Sequence, residues 1–161
     1  MSKSNIAVVG AGLMGHGIAY LFAAAGNRVA IHDPDETVLA TVVHRISDIF
    51  RLLETPPVGL DNIYTFEKLE NAVEDTDVVI EAVPEKLELK CTLFEQLISE
   101  TSDDTVLATN TSGIPIGEIA ENTKAPQRIV GTHFWNPPHL IPLVEVIQSR
   151  FTDPKIVQRM L

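Results

Sequence analysis

The residues with the clearest chemical potential in this 161-residue chain are His133 and Glu145. Residues 128–134 and 143–147 read as strands, and Asn136-Pro137-Pro138-His139 reads as the turn between them. A hairpin centred on His139 sets His133 opposite Glu145, where directly paired Cβ atoms lie roughly 4.5–5.5 Å apart. Leu143, Glu145 and Ile147 share one face of the second strand, so Glu145 is a carboxylate in an apolar row and needs a partner. A carboxylate on one imidazole nitrogen fixes the tautomer and leaves the other nitrogen to take a proton, which is how a general base is oriented. The alternative is a structural His–Glu bond that closes a sheet edge. Ser112, in Asn110-Thr111-Ser112-Gly113, lacks the surroundings of an activated nucleophile. Its hydroxyl suits a hydrogen bond to a substrate oxygen, or a cap on a helix expected over 114–121.

A second constellation lies near the start. Gly10-Ala11-Gly12-Leu13-Met14-Gly15 gives G-x-G-x-x-G between an expected strand (5–9) and a helix ending near Ala25. Gly10 permits the tight turn, Gly12 lets a pyrophosphate approach the backbone, and Gly15 lets the helix pack close to the strand. Asp33 ends a second expected strand (28–32) and follows Gly10 by 23 residues, close to the roughly 20 expected of a ribose-binding carboxylate. Asp33, with Asp35 and Glu36 beside it, favours a free 2′-hydroxyl over a 2′-phosphate, and so NAD over NADP.

These residues need a frame that brings strand ends together. The expected helices are 36–53, 67–73 (a short helix or turn), 85–100 and 114–121. They alternate with strands at 62–66, 77–83 and 105–109, before the pair at 128–134 and 143–147. Strands alternating with helices predict an α/β fold, a Rossmann-type doubly wound, mainly parallel sheet with a late antiparallel hairpin. In such sheets ligands bind beyond the carboxyl ends of the strands, which is where the glycine turn, Asp33, Glu85, Ser112 and His133 all fall. Residues 1–150 read as the NAD-binding domain. Residues 151–161 read as the start of a connecting helix, with Asp153 as N-cap, Pro154 in the first turn, and Ile156, Val157, Met160 and Leu161 left to be covered.

Composition narrows the function classes. With 45% hydrophobic and 21% charged residues the chain reads as a globular domain,. A net charge of −10 argues against nucleic acid and membrane surfaces as partners and leaves a small-molecule substrate,. The single cysteine, Cys91, excludes an internal disulfide,. It shares a helical face with Leu87, Phe94 and Ile98 and is expected in the core. His32, His44 and His139 lack metal-ligand spacing, so no metal is expected; His139 reads as a solvent-exposed turn residue, and His16 in the glycine turn receives no role. Lys90 by itself reads as a solvated helix charge. The first strand starts within about five residues of Met1, and no apolar run reaches about 18 residues, so the expected location is cytoplasmic.

Gly10 to Ala19, Asn110-Thr111-Ser112, and His133-Phe134-Trp135-Asn136-Pro137 leading to Leu143-Val144-Glu145-Val146-Ile147 together resemble the NAD-binding domain of the L-3-hydroxyacyl-CoA dehydrogenases. The resemblance implies NAD-linked oxidation of a 3-hydroxyacyl-CoA to a 3-ketoacyl-CoA, within fatty acid metabolism. It implies His133 as general base, Glu145 as its orienting acid and Ser112 on the substrate oxygen. Glu85, Lys90 and Asn136 match positions that contact the cofactor, and Asp33 matches the adenosine-ribose acid. A homodimer formed through a C-terminal helical domain is likewise implied. The segment 37–62 is shorter than the coenzyme A-contacting arm of the family, and Arg45 and Arg51 are its only cations. Relatives that oxidise free hydroxy acids share the domain and the dyad, so a gulonate- or carnitine-type substrate stands as an alternative. A non-catalytic NAD-binding or structural protein is the alternative from another class.

Overall fold

The computed structural model describes residues 3–161. Its strands are β1 (Asn5–Val9), β2 (Arg28–His32), β3 (Ile63–Phe66), β4 (Val78–Glu81), β5 (Val106–Thr109), β6 (Ile129–Phe134) and β7 (Val144–Ile147). Its helices are α1 (Leu13–Ala24), α2 (Glu36–Leu52), α3 (Leu69–Val73), α4 (Leu87–Glu100), α5 (Ile116–Ala120) and α6 (Pro154–Met160). The strands form one sheet in the order β3-β2-β1-β4-β5-β6-β7. All neighbours are parallel except β6 and β7. This is the doubly wound α/β fold expected from the sequence.

Strand alternation decides which residues face which helix layer. Ile6 and Val8 of β1 join α1, α2 and α6 in one core, whereas Ala7 and Val9 join α3, α4 and α5 in the other. Both faces of β1 are therefore buried, as an apolar run in a covered parallel sheet requires. The N-terminus of α2 is fixed by Asp35, whose side chain accepts from the N–H groups of Thr37 and Val38. Those bonds, led by the Thr37 hydroxyl, hold the Asp35 carboxyl below its ordinary value. Strand order reverses between β1 and β4, which opens the crevice used by ligands of such sheets.

Four local expectations change. The buried line of α4 is Lys90, Phe94 and Leu97, because spacings of four and three residues trace its inner stripe; Cys91 sits beside that line, half-buried,. Leu143, Glu145 and Ile147 are each 40–48% exposed, because β7 is the last strand of the sheet and only partly covered on that face among the described residues. His139 is half-buried against the Tyr20 ring rather than open to solvent. Burial, with His16 nearby, pushes its imidazole below the usual value. Ile156 of α6 is covered by the chain itself, in the core shared with α1 and α2, whereas Leu161 is 83% exposed. Among the described residues no helix is long and apolar enough to cross a membrane.

Phe94 is fully buried between α4 and the sheet. Phe94→Ala should lower the unfolding free energy by about 3–5 kcal/mol. Urea unfolding of the variant should show the drop as a lower midpoint with an unchanged slope.

Candidate active site

The final hairpin forms in the expected register, with His133 paired to Glu145 and Gly131 to Ile147. His133 Nδ1 lies 2.7 Å from Glu145 Oε2. A carboxylate only accepts, so Nδ1 carries the proton and Nε2 is left as the basic nitrogen. The Trp135 indole N–H donates to the same Oε2 at 3.2 Å. The His133 bond, followed by that of Trp135, holds the Glu145 carboxyl below its ordinary range. His133 is largely covered, with 22% of its side chain exposed. Its neighbours Thr132 and Phe134 face the α1 layer, so His133 points to the side that carries α4 and α5,.

Ser112 approaches that same side by a different route. Thr109 ends β5, and the Asn110 side-chain oxygen accepts from the Phe134 N–H at 2.9 Å, which ties the end of β6 to this loop. The following turn is gripped by Glu85. Its Oε1 accepts from the Thr111 hydroxyl, from Ser112 N at 3.0 Å and from Gly113 N at 3.1 Å. Ser112 itself is exposed, and its hydroxyl has no hydrogen-bond partner among the described residues. It does not cap α5, which starts at Ile116; Thr111 closes the turn instead, through the Ile114 N–H at 3.0 Å. The Ser112 hydroxyl is thus free to bind something else.

Beneath this turn lies a charge network that sequence reasoning missed. Lys90 is buried, not solvated. Its ammonium sits 2.6 Å from Glu81 Oε1 and 3.3 Å from Glu85 Oε2. Glu81 is fully buried and also accepts from the Val83 N–H at 2.7 Å and the Thr109 hydroxyl at 2.6 Å. Glu85 stands at the edge of the network, partly exposed. Burial pushes its pKa up, but the Thr111 hydroxyl, the Gly113 N–H, the Lys90 ammonium and the Ser112 N–H outweigh it and hold the pKa at about 2. The signal available in the sequence was an acid ending an apolar strand with a lysine nine residues later, on the inner line of a helix.

At the switch point the glycine turn has the shape a dinucleotide needs. Gly10 has φ +101°, and a Cβ there would lie 2.6 Å from Ala82 O; at Gly15 it would lie 1.7 Å from Gly10 O. Both positions are closed to any side chain by the protein itself. Gly12 is different: a Cβ there would meet nothing within 4 Å, so its missing side chain leaves open space beside the backbone. No described residue accepts from the N–H groups of Leu13 and Met14 at the start of α1, which makes them available to an anion,. Asp33 Oδ2 accepts from Ala11 N at 2.7 Å, linking the acid to the turn. On the far side Arg45 donates to Ala11 O at 2.8 Å and Val38 O at 3.0 Å, and the His16 Nδ1–H donates to Gly12 O at 2.8 Å. Neither Arg45 nor His16 stood out in the sequence as a support for this turn. Asn136 is exposed beyond the end of β6.

A dinucleotide-binding domain of the NAD-linked dehydrogenase class is what this sheet, its glycine turn and its histidine–carboxylate hairpin define. Comparison with known proteins takes the assignment further. Residues 5–161 match the family described as 3-hydroxyacyl-CoA dehydrogenase, NAD binding domain, and the chain belongs to that family. It is 38% identical to a 3-hydroxybutyryl-CoA dehydrogenase of Mycobacterium tuberculosis, over 96% of this chain and 57% of that protein. It is 34% identical to 5-formyl-3-hydroxy-2-methylpyridine 4-carboxylate 5-dehydrogenase of Mesorhizobium japonicum, over 95% of this chain and 51% of that protein. The solved 3-hydroxybutyryl-CoA dehydrogenase of Escherichia coli superposes with a TM-score of 0.92 at 32% identity, over 99% of this chain and 35% of that one. The chain thus spans about half the length of the curated relatives it matches. NAD is the cofactor of the family, and the open backbone at Gly12 fits it.

Two measurements check this site. Gly12→Ala should leave the melting temperature close to wild type and weaken NAD binding at least tenfold, on the order of 1.4 kcal/mol, because the added methyl enters only the cofactor's space; Gly15→Ala should instead lower the melting temperature. Paired calorimetry and NAD titration separate the two, and equal effects of both variants would refute the assignment. Glu85 has a depressed folded pKa, so its stabilising contribution is complete above its ordinary value of 4.5 and is lost as pH falls through about 2,. The stability gap between wild type and Glu85→Gln should therefore shrink across that window in acid-titrated thermal melts. A gap independent of pH would show that Glu85 does not hold the turn as a carboxylate.

Proposed function

We propose that the protein carrying this domain oxidises a 3-hydroxyacyl-CoA to the 3-ketoacyl-CoA, with His133 as general base. The observation that carries the reading is the 2.7 Å contact between His133 Nδ1 and Glu145 Oε2, formed by strand register at the C-terminal end of the sheet. His133 Nε2 takes the proton of the substrate hydroxyl. Glu145 stabilises the imidazolium that results and keeps the ring oriented. The Ser112 hydroxyl, free and exposed on its pinned turn, holds the substrate oxygen. Gly10 to Gly15 with Asp33 would hold the pyrophosphate and adenosine ribose, and Glu85, Lys90 and Asn136 would border the nicotinamide end. Lys90 reaches that end only through Glu85, because its ammonium is enclosed by the two carboxylates. Bound NAD would supply the acceptor for the hydride that leaves the hydroxyl-bearing carbon.

A second reading, a free hydroxy acid or alcohol in place of the thioester, is favoured by one specific observation. Both cations between residues 37 and 62 are already engaged: Arg45 by the carbonyls of the glycine turn, and Arg51 by Asp48. That leaves no unpaired cation on α2 for a polyanionic coenzyme. The Mesorhizobium relative is, by its name, a dehydrogenase of a pyridine carboxylate.

In the complete protein, His133→Ala should lower kcat by roughly 10²–10⁴ while leaving NAD affinity unchanged. Turnover within a few-fold of wild type would remove the base assignment. NADH consumption with acetoacetyl-CoA, set against NADH formation with free hydroxy acids, distinguishes the substrate classes. No turnover of any acyl-CoA beside turnover of a free acid would replace the first reading with the second.

A further inference from the structure

We infer that Trp135 is a positioning residue of the dyad, holding Glu145 through its indole N–H so that the carboxylate stays fixed on His133. The inference rests on the reading of His133 as the base. His133 and Trp135 are two residues apart at the end of β6, so their side chains leave the strand on the same side,. Both donate to one atom, Glu145 Oε2: His133 Nδ1 at 2.7 Å and Trp135 Nε1 at 3.2 Å. The two rings lie 5.9 Å apart with their planes inclined at 48°, so they reach that oxygen from different directions.

The need for a second donor follows from where Glu145 stands. It lies on the outermost strand with 48% of its side chain exposed, so burial alone does not set its rotamer. A single bond from an imidazole fixes one distance and leaves the carboxylate free to swing about it. A second donor from a rigid ring turns that single point into a two-point grip. The ring of Trp135 is itself 44% exposed, too open for core packing to be its main contribution. Its backbone is held in place instead, because Trp135 N donates to Leu143 O at 3.4 Å and extends the hairpin beyond β6 and β7. An indole N–H can only donate, so the same contact also favours the ionised carboxylate that the imidazolium needs.

Trp135→Phe keeps the ring and removes the N–H. In the complete protein the variant should lose about tenfold in kcat, the order that one hydrogen bond to a charged group carries at a part-exposed site. KM for NAD and for the hydroxyl substrate should not change, a split that loss of packing or of binding would not give. His133→Ala serves as the reference: full activity there would defeat the base assignment, whereas an inactive His133→Ala beside a wild-type Trp135→Phe would defeat the inference about Trp135 alone. A second measurement does not depend on turnover. Trp135 is the only tryptophan of the chain, so its side chain contributes a single indole N–H resonance that can be assigned by its loss in Trp135→Phe. Glu145→Ala should move that resonance upfield as the carboxylate acceptor disappears. A resonance that stays in place would show that the indole is not bonded to Glu145 and would overturn the inference.

Discussion

The site depends most on an ion pair that no solvent reaches, between Lys90 on α4 and Glu81 at the end of β4. Withdrawing two such charges from water costs several kcal/mol each, and it is tolerable only when the geometry is close and the spare donors and acceptors are satisfied. Here they are, because the Glu81 carboxylate also takes the Val83 N–H and the Thr109 hydroxyl. One carboxylate thereby fixes the ends of β4 and β5 and the loop leading into α4. Its partner ammonium carries the constraint outward to Glu85, and Glu85 holds the turn that presents Ser112. The most exposed hydroxyl of the site is thus set by the most buried charge.

The two ends of the active face are built on different physics. At the glycine turn the backbone does the work: absent side chains and open N–H groups make room for an anion, while Asp33, Arg45 and His16 secure the amide and carbonyl groups around it. At the hairpin the side chains do the work, and strand register alone brings His133 to Glu145. Asn110 links β6 to the Ser112 turn, so the His133 imidazole and the Ser112 hydroxyl share one connection.

Much of this was legible in the sequence, and the reason is that it follows from period and spacing. Apolar runs bounded by glycine, proline and acids mark the strands, and the hairpin register follows once the turn is centred on His139. What was not legible depends on tertiary burial. Lys90 reads as a surface charge until a buried acid nine residues upstream is placed beside it, and the sequence carries no sign of how far α4 is rolled toward the sheet. Arg45 reads as a lone helical cation, because its acceptors are main-chain carbonyls with no side-chain signature. The apolar spacing of Leu143 and Ile147 suggested a covered face, but an edge strand can alternate without any layer above it.

That uncovered strand has a consequence for association as well as chemistry. Among the described residues β7 pairs only with β6, so the far side of its backbone presents an open row of amide donors and acceptors,. Such a row flanked by Val144 and Ile147 would invite a second strand to add itself. The ionised carboxylate of Glu145 stands in the middle of it and makes a like strand, laid alongside in either direction, electrostatically unwelcome. The carboxylate paired with His133 is therefore also the charge that this open edge presents to any neighbouring strand,.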